Sequence, residues 1–224
     1  KLVWSDSTSK PLPVRDSLVD VIGKARYFGL LPQNYHFGEL KKLHDSTLPI
    51  DIVRTDALIT DAFFGLAADL RYGRTMRTAQ TQVDSTLLRL LRQVLHDFNV
   101  RIALHSMEPV SSQYQSLKVA LKTTLDTTEI EVRQRILNGE TDDSLPVIKT
   151  ITAIELNLEK WRLEHDFSPA AKFIYVNIPS FMLSVVEGDK TVLRSKVIVG
   201  TQGNPTPEIT SVVECIVIYP YWHV

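Results

Sequence analysis

One thiol, six imidazoles and one adjacent carboxylate pair are the groups in this 224-residue chain with the clearest capacity for bond-making chemistry. The thiol is Cys215, in the run SVVECIVI. A thiol nucleophile reacts as the thiolate and needs a base and an electropositive, accessible setting. In strand alternation Cys215 shares a face with Val213 and Val217, with no adjacent Gly or His to shape a site. The pattern therefore predicts a small buried core residue, not a nucleophile.

The histidines are His36, His44, His96, His105, His165 and His223. They form no HxH, HExxH or CxxC-linked spacing, so no metal site is expected. His105 follows the apolar stretch Val100–Leu104 and reads as a core histidine, whereas His223, beside Trp222, reads as a cleft residue. Asp142 and Asp143 have the residue type for glycoside cleavage, but they sit in the polar run NGETDDS without aromatic neighbours and read as a solvated turn. No GxSxG, P-loop or GxGxxG pattern occurs, and no cofactor is expected. A metal- or carboxylate-dependent hydrolase would rest on unclustered residues.

The elements that carry these groups fall into two kinds. Helical periodicity covers 14–28, with Leu18, Ile22 and Ala25 on one stripe, ended by Gly29 and Pro32. A short helix is expected around Phe37–Leu43. The clearest helix is 56–71, with Ile59, Ala62, Phe63, Leu66, Ala67 and Leu70 on one face and Thr55 as N-cap. Residues 84–98 place Leu87, Leu88, Leu91, Val94, Leu95 and Phe98 together. Ser112/Gln115 and Thr128/Glu131 have capping-box spacing, and a last helix is expected from Pro146 to His165, with Ile151, Ile154, Leu158 and Trp161 inward. From Lys172 the period becomes strand-like: Phe173–Ile178, then Phe181–Val186 and Thr191–Val199 about a Gly188-Asp189 turn, then Ser211–Tyr219. The fourth strand would leave an unpaired edge, so chain-to-chain strand pairing is an expectation. The predicted class is α+β, an all-helical domain over 1–165 followed by a partial, mainly antiparallel β-domain over 172–224.

Composition narrows the partners. The net charge of -1 gives no basic field for nucleic acid. No apolar run reaches the roughly 18 residues that span a bilayer. With one cysteine, no intrachain disulfide forms. The chain begins at Lys1 rather than Met and stops within an apolar segment, so processing at the start and truncation of the β-domain are both expected.

Several segments, in order, resemble the large L,D-transpeptidases that carry a helical scaffold before a YkuD-type catalytic domain. They are Asn157–Arg162 (NLEKWR), Val176–Pro179 (VNIP), Val197–Gly200 (VIVG), Thr206-Pro207 and Tyr219–Val224 (YPYWHV). Ala25–Tyr35 (ARYFGLLPQNY) and the positions Asp56, Leu58, Thr60, Gly73 and Arg74 extend the resemblance over nearly the whole chain. Lys160 stands where the family commonly has Arg, and Tyr219 where many members have Asn. The peptidoglycan-binding module that many members insert has no room in Asp126–Leu145. The resemblance implies an exported cell-envelope enzyme, acting in the periplasm on peptidoglycan stem peptides. In such enzymes a cysteine thiolate attacks a tetrapeptide stem to form an acyl-enzyme, and a second stem's amine resolves it into a crosslink. It also implies that the Ser-x-Gly-Cys-x-Arg segment and its histidine lie beyond Val224. On this reading the chain holds no catalytic residue, its substrate-binding residues are undefined, and by itself it is inactive. The alternative is a non-catalytic helical module that binds cell wall or a protein partner.

Overall fold

The structure, a computed structural model, describes residues 2–6, 8, 10–77, 85–139, 145–163, 172–188, 190–215 and 217–218. The chain divides into two compact units, Lys1–Ser168 and Pro169–Val224. The first is helical and the second holds a three-stranded antiparallel sheet, an α+β fold.

The helical unit begins with an anchored N-terminal segment. Asp56 accepts the backbone N–H groups of Val3 and Trp4, and the Trp4 indole donates to Thr60 Oγ1 at 2.9 Å. Helix α1 (Pro13–Gly23) follows, with Pro13 in its first turn, where a missing N–H costs nothing. It stops five residues before the periodicity does. The Phe37 ring lies against Gly23, at 2.7 Å from where a Cβ would stand, and Ala25–Phe28 continue as a 3-10 turn. Gly29 then takes the expected left-handed cap, with φ 71°.

Helices α2 (Phe37–Leu43) and α3 (Pro49–Tyr72) come next. The expected inward stripe of α3 is buried from Ile59 to Leu70. Its start differs from expectation: Pro49 begins the helix at an uncapped Leu48, and Thr55 lies inside it, buried. The short α4 (Arg74–Arg77) and α5 (Ser85–Asp97) follow. Phe98 does not join the face of α5. It has φ 52° and is exposed, as the chain reverses toward α6 (Val100–His105). Residues of α1, α2, α3, α5 and α6 make one core around Trp4, Phe63 and Leu66.

A second core forms between α7 (Ser112–Thr127), α8 (Ile130–Leu137) and α9 (Pro146–Leu163), around Tyr114, Leu121, Leu125, Ile151 and Leu158. The capping boxes are displaced. Ser111, not Ser112, caps α7 by accepting from Tyr114 N. Thr128 closes α7 by donating to Thr124 O, while Glu129 precedes α8 without a side-chain cap. In each case the neighbouring residue has the extended backbone that a cap requires.

In the second unit, β1 (Phe173–Asn177), β2 (Met182–Glu187) and β3 (Lys190–Lys196) pair in chain order. The β2–β3 turn uses Gly188 at φ 57°, the positive φ that hairpin turns demand. Ile174, Val185 and Leu193 pair in register, as do Val176 and Leu183, so one face is apolar. The expected fourth strand, Ser211–Tyr219, is not formed: residues 211–215 and 217–218 have no sheet pairing, and residues 216 and 219–224 lie outside the described residues. Val212, Val213, Val217 and Ile218 are all exposed. Without burial, nothing offsets the entropy of ordering a strand.

Candidate functional site

Three of the segments that carry the family resemblance meet inside the helical unit. In the last turns of α9, Arg162 turns inward and is only 1% exposed. It donates through Nη2 to the Tyr114 hydroxyl at 3.0 Å and also to the Phe28 carbonyl. Its guanidinium lies 5.6 Å from the Tyr114 ring centre, close enough for a cation–π contribution. One turn back, Glu159 accepts from the backbone N–H groups of Arg74 and Thr75. Gly73, at φ 75°, permits that approach, because a Cβ there would lie 2.9 Å from Glu159 Oε1.

Glu155 sits 3.0 Å from Arg26 Nε. Neither atom of that pair meets hydrogen-bond geometry, so charge alone holds it. Burial raises the Glu155 carboxyl above the ordinary glutamate range, with Arg26, Arg74 and Arg162 pulling the other way. A second knot lies beside it. Glu108 is buried, and its carboxylate takes the Tyr114 hydroxyl at 2.9 Å, Lys118 Nζ at 2.7 Å and His105 Nδ1 at 2.8 Å. Burial pushes the Tyr114 hydroxyl far above the usual tyrosine range. His105, Glu108, Lys118, Tyr114 and Arg162 are closed on one another, an arrangement that locks helices together.

In the sheet unit, Asn177 Oδ1 accepts from Ser180 N at 3.1 Å, fixing the VNIP turn. Gly200 N donates to Thr206 Oγ1 at 2.7 Å and Thr201 bridges Asn204. A Cβ on Gly200 would meet Asn204 O at 2.1 Å, so this loop closes only around glycine.

The chemistry-bearing residues are scattered. Cys215 is not buried: it is an exposed free thiol in the unpaired segment. Its expected core position fails because the strand that would have buried it does not form. His105 is likewise no core histidine. Its side chain is 62% exposed, and it leans on Glu108. His36 pairs with Asp61 and His96 with Asp97, each at 2.7 Å, and His44 pairs with Asp45 at 2.8 Å. His165, His223, Asp142 and Asp143 lie outside the described residues. Among the described residues no group of three or more His, Cys, Asp or Glu side chains is placed to hold a metal ion. Sequence reading missed Glu108, Tyr114 and Glu155. Polar residues on an apolar helix face leave no periodic signal, and only the segment resemblance pointed to Arg26 and Arg162.

Comparison with known proteins agrees with this architecture. The Scaffold domain family model matches residues 1–121, and the L,D-transpeptidase catalytic domain model matches residues 171–224. The chain belongs to the L,D-transpeptidases built on a Scaffold domain. A curated Haemophilus influenzae protein, whose name provisionally assigns it as an L,D-transpeptidase, is 28% identical over 158 residues. That match covers 60% of this chain and 32% of the relative, so the chain spans about a third of the relative's length.

Proposed function

We propose that this chain is the scaffold and the opening strands of an exported L,D-transpeptidase that crosslinks peptidoglycan stem peptides in the cell envelope. The reaction runs through a cysteine acyl-enzyme whose thiol and histidine belong to sequence following Val224. Residues 1–224 by themselves are inactive. One observation carries the last two statements: the sole cysteine, Cys215, sits exposed in an unpaired segment. A thiolate that forms an acyl-enzyme needs a base and an oxyanion hole, and no described residue supplies Cys215 with either. Nucleic acid is not a partner, in keeping with the near-zero net charge.

Intact-mass measurement after incubation with a carbapenem tests this. The expected result is no adduct on residues 1–224 and one adduct on a longer protein that includes the downstream cysteine. A covalent adduct at Cys215 would overturn the assignment.

A second reading, a non-catalytic module that holds cell wall, draws on the helical unit's two cores. Retention of the chain on insoluble peptidoglycan is its expected outcome, and free passage would count against it.

A further inference from the structure

The helical unit holds a cleft of about 280 Å³ where the N-terminal segment, the start of α1 and the stretch from His44 to Asp56 meet. Its lining includes the apolar Trp4, Pro11 and Ile52, the cationic Lys10 and Arg15, and His44, Asp45 and Asp56. An apolar lining with a few placed cations is the usual composition of a site for an anion borne on an organic group.

The state of the donors is the informative part. Arg15 is largely enclosed, with its side chain 14% exposed. Its Nε bonds to Asp16 Oδ1 at 3.0 Å, and its terminal N–H groups make no hydrogen bond among the described residues. Those terminal nitrogens are not among the buried side-chain atoms that lack a partner, so they remain accessible to a ligand. Lys10 Nζ also makes no hydrogen bond among the described residues. The carboxylates around the cleft are already engaged. Asp56 takes two backbone N–H groups, Asp16 takes Arg15 and stands 3.7 Å from His44, and Asp45 takes His44. The open donors in the cleft are a planar fork and a point charge, the pair that suits a carboxylate.

We propose that this cleft binds a carboxylate of a short peptide, with Arg15 forking onto the carboxylate, Lys10 supplying the second cation, and the apolar lining taking the adjoining hydrocarbon. Resting on the function proposed above, the peptide is a peptidoglycan stem, held by the scaffold away from the catalytic chemistry.

The test is a chemical-shift titration of the full chain with a stem tetrapeptide bearing free carboxylates, and with the same peptide amidated. Saturable shifts at residues around Trp4 are expected for the first and none for the second. R15Q should weaken binding by at least about tenfold, the size of one lost charge-assisted contact. K10Q, at an exposed side chain, should weaken it by a smaller factor. Equal affinity of the variants and the unaltered chain, equal binding of the amidated peptide, or no saturable binding at millimolar peptide would each overturn the cleft assignment. An all-L tetrapeptide of equal charge is the third arm, and binding as tight as the stem's would refute the stem as the ligand. Crosslinking by the longer protein is read separately. If it persists while the cleft fails to bind, the cleft falls and the proposed function stands.

Discussion

Arg162 Nη2 lies 3.0 Å from the hydroxyl of Tyr114, a bond that ties the end of α9 to the first turn of α7. The same nitrogen reaches the Phe28 carbonyl, so one side chain spans three segments distant in sequence. Removing it would leave the buried Tyr114 hydroxyl, the Phe28 carbonyl and the carboxylates of Glu155 and Glu159 short of a cation. R162A should therefore cost about 3–5 kcal/mol, the range for breaking a buried charge pair from one side. R162K should recover only part of that, because a single ammonium nitrogen cannot stand in for both Nη1, which reaches Glu159, and Nη2, which reaches Tyr114 and Phe28. Urea unfolding with an unchanged slope is the measurement, and a loss below about 1 kcal/mol for R162A would contradict the role.

Tyr114 gives the helical unit a particular alkaline behaviour. Burial raises its hydroxyl well above the ordinary tyrosine value, while the unfolded chain titrates near about 10. The folded state thus keeps a proton that the unfolded state gives up. Stability from this group is fully present below that unfolded value and falls as pH rises beyond it. The unaltered chain should lose stability steadily above pH of about 10, and Y114F should lose less over the same interval, though it begins about 1–2 kcal/mol lower at neutral pH because Glu108 and Arg162 lose a partner. Parallel slopes for the two proteins would refute this account.

Gly29 is required by position and by space. Its φ is 71°, and an added Cβ would come within 3.2 Å of Leu158 Cδ1 and 3.3 Å of Glu155 Cγ. G29A should destabilise by about 1–3 kcal/mol, combining left-handed backbone strain with displacement of the α9 side chains. Gly38 is the control: nothing lies within 4 Å of its added Cβ and it sits in a helix, so G38A should be neutral or stabilising. Thermal melts of the two variants side by side decide the matter.

Much of the helical unit was legible because burial there follows period: Ile59, Phe63, Leu66 and Leu70 repeat at helical spacing and are buried together. Boundaries were less legible. Pro49, not Thr55, starts α3, since a proline in the first turn is compatible with helix, and Ile50 and Val53 after it are apolar but exposed, outside the buried stripe. The sheet was legible as three strands, and the fourth failed for a physical reason. Val212, Val213 and Val217 have strand propensity, but propensity measures fit to a covered, pleated surface, and these residues have no cover. The buried knot of Glu108, Tyr114 and Arg162 was illegible as a set, because contacts among residues from 108 to 162 have no local signature in sequence.

The apolar face of the sheet should govern how the chain behaves in solution. Ile174 and Leu193 flank Val185 across the register and are 49% and 51% exposed. Contiguous apolar surface of this kind binds hydrophobic dyes and promotes association. The combined variant I174T/L193K places a polar group at both ends of that row without touching the helical cores. It should reduce fluorescence of a hydrophobic dye and raise solubility, while the melting of the helical unit shifts by no more than about 0.5 kcal/mol in stability. Threonine keeps strand propensity at 174, and lysine suits an exposed edge strand at 193, so the sheet itself should persist. Undiminished dye binding in the variant would show that the exposed apolar surface lies elsewhere, with Ile209, Val212 and Val217 the next residues to alter.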